Sequence, residues 1–198
     1  MTKKKIAIAI AAAALAGTCA IGGTLAWLTD AAAKTNTFTV GDVDVSITET
    51  TSDYKILPGA TIAKDPTITI TDDSEDCYLF AYIDNALLIG GTSVAEFNVN
   101  TTDPSKDMWE AVDGKDGLYV LVDAEGEPKV VNAEDEDKTF DFFTEVTIDG
   151  DTVTVDNIQQ LDGKTVKVYA YAHQAENTTY EAAKTAAIAF DFTGVSEN

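Results

Sequence analysis

The sequence predicts an all-β protein: a single jelly-roll-like antiparallel β-sandwich with one short helix near the C-terminus. Three observations carry that expectation. Apolar and polar residues alternate with period two through most of the chain after Thr37, as half-buried strands require. Turn dipeptides punctuate the alternation, among them Pro58-Gly59, Glu125-Gly126, Asp149-Gly150 and Asp162-Gly163. Apolar residues recur at helical spacing in one segment, where Thr178 and Glu181 have capping-box spacing and Tyr180, Ala183, Ala187 and Phe190 follow.

Taken in order, Phe38 and Val40 share one parity, and Val43, Val45 and Ile47 continue on the other after Gly41-Asp42, so a bulge or bend is expected there. Ile68 and Ile70 alternate with threonines behind Pro66, a strand that tolerates proline at its entry. Cys77, Leu79, Ala81 and Ile83 form one face of the next strand and Tyr78, Phe80 and Tyr82 the other. Both faces are apolar, so this is a central strand covered on two sides. Residues 91–117 are polar and turn-rich around an isolated Trp109 and read as an excursion with little regular structure. Leu118 to Val122 is a buried strand, and Glu125-Gly126 turns the chain toward Val130-Val131. The acidic run from Glu134 to Asp137 reads as a solvated loop. Phe140 to Ile148 and Thr152 to Val155 read as strands joined by a hairpin at Asp149-Gly150. The clearest strand comes last, with Val166, Val168, Ala170 and Ala172 alternating with Lys167, Tyr169, Tyr171 and His173; eight to ten strands are expected in all.

The N-terminus carries Lys3, Lys4 and Lys5 ahead of an apolar run from Ile6 to about Leu28, the layout of a secretory signal peptide. Thr24 and Ala26 occupy the small-residue places of an A-x-A-like site, so cleavage is expected between Ala26 and Trp27, leaving 27–198 as one domain. Ala31 to Ala33 form a second candidate site. The run is also long enough to span a bilayer if retained, and in that state it is the chain's one membrane contact. Cys19 lacks the residues that flank a lipidation site. Beyond Ala26 the chain has 10 lysines, no arginine and all 34 acids, a balance of −24. Such a surface repels nucleic acid and anionic lipid, and copies repel one another over a Debye length of about 8–10 Å at physiological salt. Cys77 is the one cysteine after the cut and reads as a small buried apolar residue.

The stretch Gly23-Thr24-Leu25-Ala26-Trp27-Leu28-Thr29-Asp30, leading to Thr37-Phe38-Thr39-Val40-Gly41, resembles the TasA/camelysin family. Leu57-Pro58-Gly59, Lys64-Asp65-Pro66, Phe142-Phe143-Thr144-Glu145-Val146 and the strand ending in Gln174-Ala175 continue the resemblance in order. The resemblance implies a jelly-roll subunit released by a SipW-type signal peptidase to the surface or matrix of a Gram-positive-type bacterium. It also implies self-assembly into biofilm fibres, with or without related matrix subunits, by donation of an N-terminal strand. The candidate donor lies between Trp27 and Val40, with Thr35, Thr37, Phe38 and Val40 as its alternating residues.

Camelysin is classed as a metallopeptidase, so the chemistry needs weighing. A zincin requires two histidines one helical turn apart with a glutamate between them, and this chain has His173 alone, on an expected strand. No G-x-S-x-G elbow occurs, and a Cys-His pair reduces to Cys77 with His173. The acidic clusters Asp72 to Asp76 and Glu134 to Asp137 offer oxygen ligands for Ca²⁺ but follow no EF-hand spacing, and read as solvated loops. The expectation is therefore a protein that is not an enzyme, with no metal site and no cofactor. A monomeric adhesion module binding through residues 91–117 is the alternative, and a camelysin-like peptidase is the third reading.

Overall fold

A computed structural model describes residues 43–49, 55–72 and 74–195. Its strands are β1 (Val45–Thr48), β2 (Thr61–Ala63), β3 (Thr67–Ile70), β4 (Cys77–Asn85), β5 (Leu88–Ile89), β6 (Thr92–Ser93), β7 (Ala95–Val99), β8 (Met108–Ala111), β9 (Leu118–Val122), β10 (Val130–Val131), β11 (Thr139–Asp141), β12 (Phe143–Ile148) and β13 (Val166–Gln174), followed by one α-helix, α1 (Tyr180–Ala189). Every strand pairing is antiparallel. The expected all-β sandwich with one C-terminal helix is the fold observed.

The first layer consists of two three-stranded ladders, β1-β3-β11 and β2-β12-β7, joined end to end. Their shared pairing keeps one register from Thr69↔Thr139 to Thr61↔Thr147. Across the gap, Phe142 N donates to Pro66 O and Lys64 N to Thr144 O, so the interruption at Pro66 costs little pairing. The second layer is built on β4, which pairs β13 along its whole length on one side and β9 and β10 on the other, with β8 beyond β9. β5 and β6 form a separate small hairpin.

The double alternation of β4 explains the stacking. Cys77, Leu79, Ala81 and Ile83 face the first sheet and meet Ile68, Ile70, Phe140, Phe142, Val146 and Ile148 in the main core. Phe80 and its outward neighbours meet Leu118, Val120, Ala183, Ala187 and Phe192 in a second core under α1. The two buried alanines let the helix axis approach the sheet. Full burial of each large apolar side chain contributes roughly 1.5–3 kcal/mol, so both faces of one strand stabilise the fold.

Four expectations are corrected. Residues 91–117 are not structureless: they contain the last strand of the small hairpin together with β7 and β8, and Trp109 is fully buried against Phe142 at 4.9 Å between ring centres. Period-two patterning was masked there by edge strands with a polar outer side. Thr152 to Val155 is not a strand; Asp149 N donates to Val94 O, the Asp149 carboxylate accepts from Asp151 N and Thr152 N, and the chain coils so that Val153 is buried and Val155 exposed. Phe140 to Ile148 is divided at Phe142 into β11 and β12. Helix α1 is capped by Thr179 rather than Thr178, its side chain accepting from Ala182 N.

Candidate functional site

The cleavage residues Ala26 and Trp27 and the donor-strand residues Thr35, Thr37, Phe38 and Val40 lie outside the described residues. The place where the chain enters the described body is well defined. Asp44 N donates to Ser74 Oγ at 3.1 Å, Ser74 Oγ to Asp44 O at 3.2 Å, and Thr71 N to Asp44 O at 3.1 Å. Ser74 is 3% exposed and also shares a hydrogen bond with Thr71 Oγ1. Sequence reasoning passed over Ser74, a lone serine in an acidic run. Its role as the clamp on β1 follows from the pairing Val45↔Ile70, which brings residues 30 apart into contact.

The two acidic clusters do come together, around a lysine. Lys138 is 6% exposed, and its Nζ donates to the carbonyls of Ala133 at 2.9 Å, Asp72 at 3.2 Å and Thr71 at 3.5 Å. The Asp76 carboxylate accepts from Ala133 N and the Asp135 carboxylate from Asn132 N. The carboxylates thus shape the turns, and an ammonium group supplies the charge at their centre.

Cys77 and His173 are neighbours in the β4–β13 ladder, where Cys77 pairs Gln174 and His173 pairs Tyr78. Cross-strand partners share a face, so His173 lies on the face of Tyr78 and Cys77 on the opposite, inner face. The His173 Nδ1 is engaged with the Tyr171 hydroxyl at 2.9 Å. Burial, with the charge of Asp76 adding to it, pushes the Cys77 thiol up to about 11, which leaves it protonated and a poor ligand or nucleophile. Among the described residues no three His, Cys, Asp or Glu side chains are grouped to hold a metal ion.

A cleft of about 890 Å³ opens where β7 ends, between the 100–107 connection and the β11–β12 junction. Met108, Leu121, Phe142 and Phe143 form its floor, and Lys106, Asp107, Lys129 and Thr144 stand in its walls. Asn100 holds the connection in shape: its Nδ2 donates to the carbonyls of Asp103 and Asp107, both at 2.9 Å, and its Oδ1 accepts from Asp103 N. Asp107 Oδ2 accepts from Asp141 N at 2.8 Å and Trp109 Nε1 donates to Asp141 O at 2.9 Å, so two side chains complete the β11 edge that β7 does not reach. Burial, first, and then the charges of Asp141 and Asp137 raise the Asp107 pKa, opposed by the Asp141 N–H and Lys129. Asn98 fills the bulge in β12, its Oδ1 accepting from Thr144 N and Glu145 N.

Residues 1–76 match the family model of the camelysin metallo-endopeptidase, Peptidase_M73. The resemblance of the chain to the TasA/camelysin family is borne out over that stretch. A comparison with curated proteins finds no match. The metal that the family's description implies does not fit the described residues: the histidine is held by a tyrosine, the cysteine is buried on the other face, and the nearest acidic clusters surround a lysine.

Proposed function

From the camelysin match over residues 1–76, we propose that this chain is an extracellular structural subunit, a component of matrix fibres that assembles by donating its N-terminal strand. On this reading residues 1–26 are a signal peptide removed between Ala26 and Trp27 by a SipW-type signal peptidase. The exported 27–198 domain is not an enzyme, needs no cofactor, and binds further copies of itself or related matrix subunits. The match to the N-terminal stretch carries the proposal, because that stretch contains both the expected cleavage site and the expected donor. The single histidine of the chain supports a structural role over proteolysis. Deleting residues 27–36 is the test. The truncated protein should lose polymerisation, followed by electron microscopy and light scattering, while keeping a cooperative unfolding transition, since the two cores lie within the described body. Normal fibres from the truncated protein would remove this segment as the donor, and persistent monomers of the intact exported protein would sink the fibre reading.

The cleft beside residues 100–107 favours a second reading, a surface module that binds a carbohydrate or peptide. Saturable glycan or peptide binding by an intact monomer, abolished by Lys106→Glu, would support it over assembly.

A further inference from the structure

We propose that two copies of this chain pair along the open edge of β13, antiparallel about a two-fold axis at Ala170, so that their second sheets join into one. The contact needs no strand donation.

β13 pairs β4 along all nine of its residues and has no strand on its other side among the described residues. The ends of that ladder fix which backbone groups face outward. Ala86 N donates to Thr165 O and Ala175 N to Asp76 O, so odd-numbered residues bond to β4. Val166, Val168, Ala170, Ala172 and Gln174 therefore direct their N–H and C=O groups away from it. Native edge strands are blunted by shortness, proline, a bulge or an inward charge. β13 has none of these over nine residues in unbroken register, whereas the edge strands β1, β7 and β8 have four, five and four residues. Its inward residues Val166, Val168, Ala170 and Ala172 are half-buried at the rim of the main core, and so are Val45 and Ile47 of β1, which pairs β3 and forms no ladder with β13. The opposite flank is closed: Trp109 of β8 is fully buried and donates to Asp141 O at the end of β11.

The sequence of the strand selects a second copy as the occupant. Antiparallel pairing about Ala170 overlaps all nine residues and sets outward-facing groups against outward-facing groups: Val166 opposite Gln174, Val168 opposite Ala172, and Ala170 opposite its own image. Tyr169 then meets Tyr171 of the second copy, an aromatic cross-strand pair. Lys167 meets His173, so the row across both copies runs Asp84, Lys167, His173, Tyr78 with no like charges adjacent. Just beyond the strand, Lys164 comes opposite Glu176 of the second copy. Both are exposed, and the two-fold makes the pair twice. Sliding the register by two residues one way puts Glu176 opposite Asp162, and sliding it the other way puts Glu176 opposite Val166. Full overlap is therefore also the register of best charge match. Such a contact uses the same patch on both copies and closes as a dimer.

The test uses the protein as exported, residues 27–198. Lys167→Cys copies mixed with His173→Cys copies should cross-link under mild oxidation, because these positions form a non-hydrogen-bonded pair with α-carbons about 4.5 Å apart. Neither variant alone should do so, since like positions lie six residues apart along the strand, about 20 Å. In sedimentation, Lys164→Glu should self-associate about tenfold more weakly than wild type. Mixing it with Glu176→Lys should restore the association, because both end contacts are then again opposite in sign. Ala170→Pro loses an N–H that points to solvent in the monomer, so it should melt as a folded protein and remain monomeric. If it does not fold, the cross-link and the charge exchange still decide. Cross-linking of the mixture alone, with recovery on charge exchange, supports the pairing whether or not fibres form. No cross-link in the mixture, or equal cross-linking by each variant alone, overturns it and leaves the fibre reading to electron microscopy.

Discussion

The two ends of the sandwich are fastened by different means. At the end where β4 begins the connections are six to eight residues long, and side chains hold them: Ser74 grips Asp44, Lys138 gathers three carbonyls, and Asn100 and Asp107 brace the 100–107 segment. At the opposite end the tight turns are fastened by the backbone itself. Ile83 N donates to Gly117 O at 2.9 Å, and a Cβ on Gly117 would stand 2.6 Å from Ile83 O; Gly150 approaches Gly59 so closely that its Cβ would lie 3.0 Å from the Gly59 α-carbon. The longer connection there is again held by side chains: the Asp149 carboxylate accepts from Asp151 N and Thr152 N, Asn157 Oδ1 accepts from Thr154 N, and Lys115 donates to the carbonyls of Ile188 and Phe190 where α1 ends. The contrast follows from one requirement. A long polar connection over a core must bring partners for its own buried backbone groups, whereas a tight turn meets that requirement through close backbone contact and needs glycine to do so.

That contrast predicts where each end fails. Gly117→Ala should have the largest effect, because the new methyl meets a backbone oxygen and the residue sits at φ +80°, in the left-handed region. A loss of about 3 kcal/mol or more is expected, seen as a fall in melting temperature of roughly 6–12 °C. A loss under about 1 kcal/mol would show that this turn relaxes freely and that backbone contact is not what fixes its end. Lys138→Met should follow, with about 2–3 kcal/mol lost as buried carbonyls lose their donor. Hydrogen exchange should rise across 71–76 and 132–138 and leave 112–117 unchanged. Uniform exchange at both ends would break the division between them.

Asp107→Asn should act least and in the opposite direction. The carboxyl pKa is raised above its ordinary 3.8, so its protonated form is the one the fold favours. The stability that this shift contributes is present below that value and lost as pH rises through the folded pKa. At pH 7 the wild type carries an unfavourable half-buried charge, and the amide, whose oxygen can still accept from Asp141 N, should be more stable by under about 1 kcal/mol. The advantage should vanish near pH 3. Urea midpoints of both proteins from pH 3 to 7 measure it, and a destabilised variant at pH 7 would mean that the charge itself holds the β11 edge.

Much of this was visible in particular residues. Cys77 to Ile83 announced a strand covered on both faces, and the two cores lie where its two apolar sets point. Leu118 to Val122 and Val166 onward were read nearly to the residue, because the first is a continuous apolar run behind a turn glycine, as a strand covered on both sides requires, and the second alternates as a half-buried strand does. Trp109 was misjudged as part of an excursion, since β8 is four residues long with an exposed second half and shows too little period to register. Val153 misled in the other direction: an alternating run between Thr152 and Val155 had the pattern of a strand, but Asp149 captured the local backbone donors first.

Patterning along the chain was enough to establish the fold class, the central strand, the helix and the absence of a two-histidine zinc motif, because each depends on the identity and spacing of residues close in sequence. The meeting of the two acidic runs around Lys138, the clamp of Ser74 on Asp44, and the separation of Cys77 from His173 on opposite faces came from strand pairing alone. Those relations join residues tens of positions apart, and register, which places them, is set by how two sheets and a helix share their apolar faces.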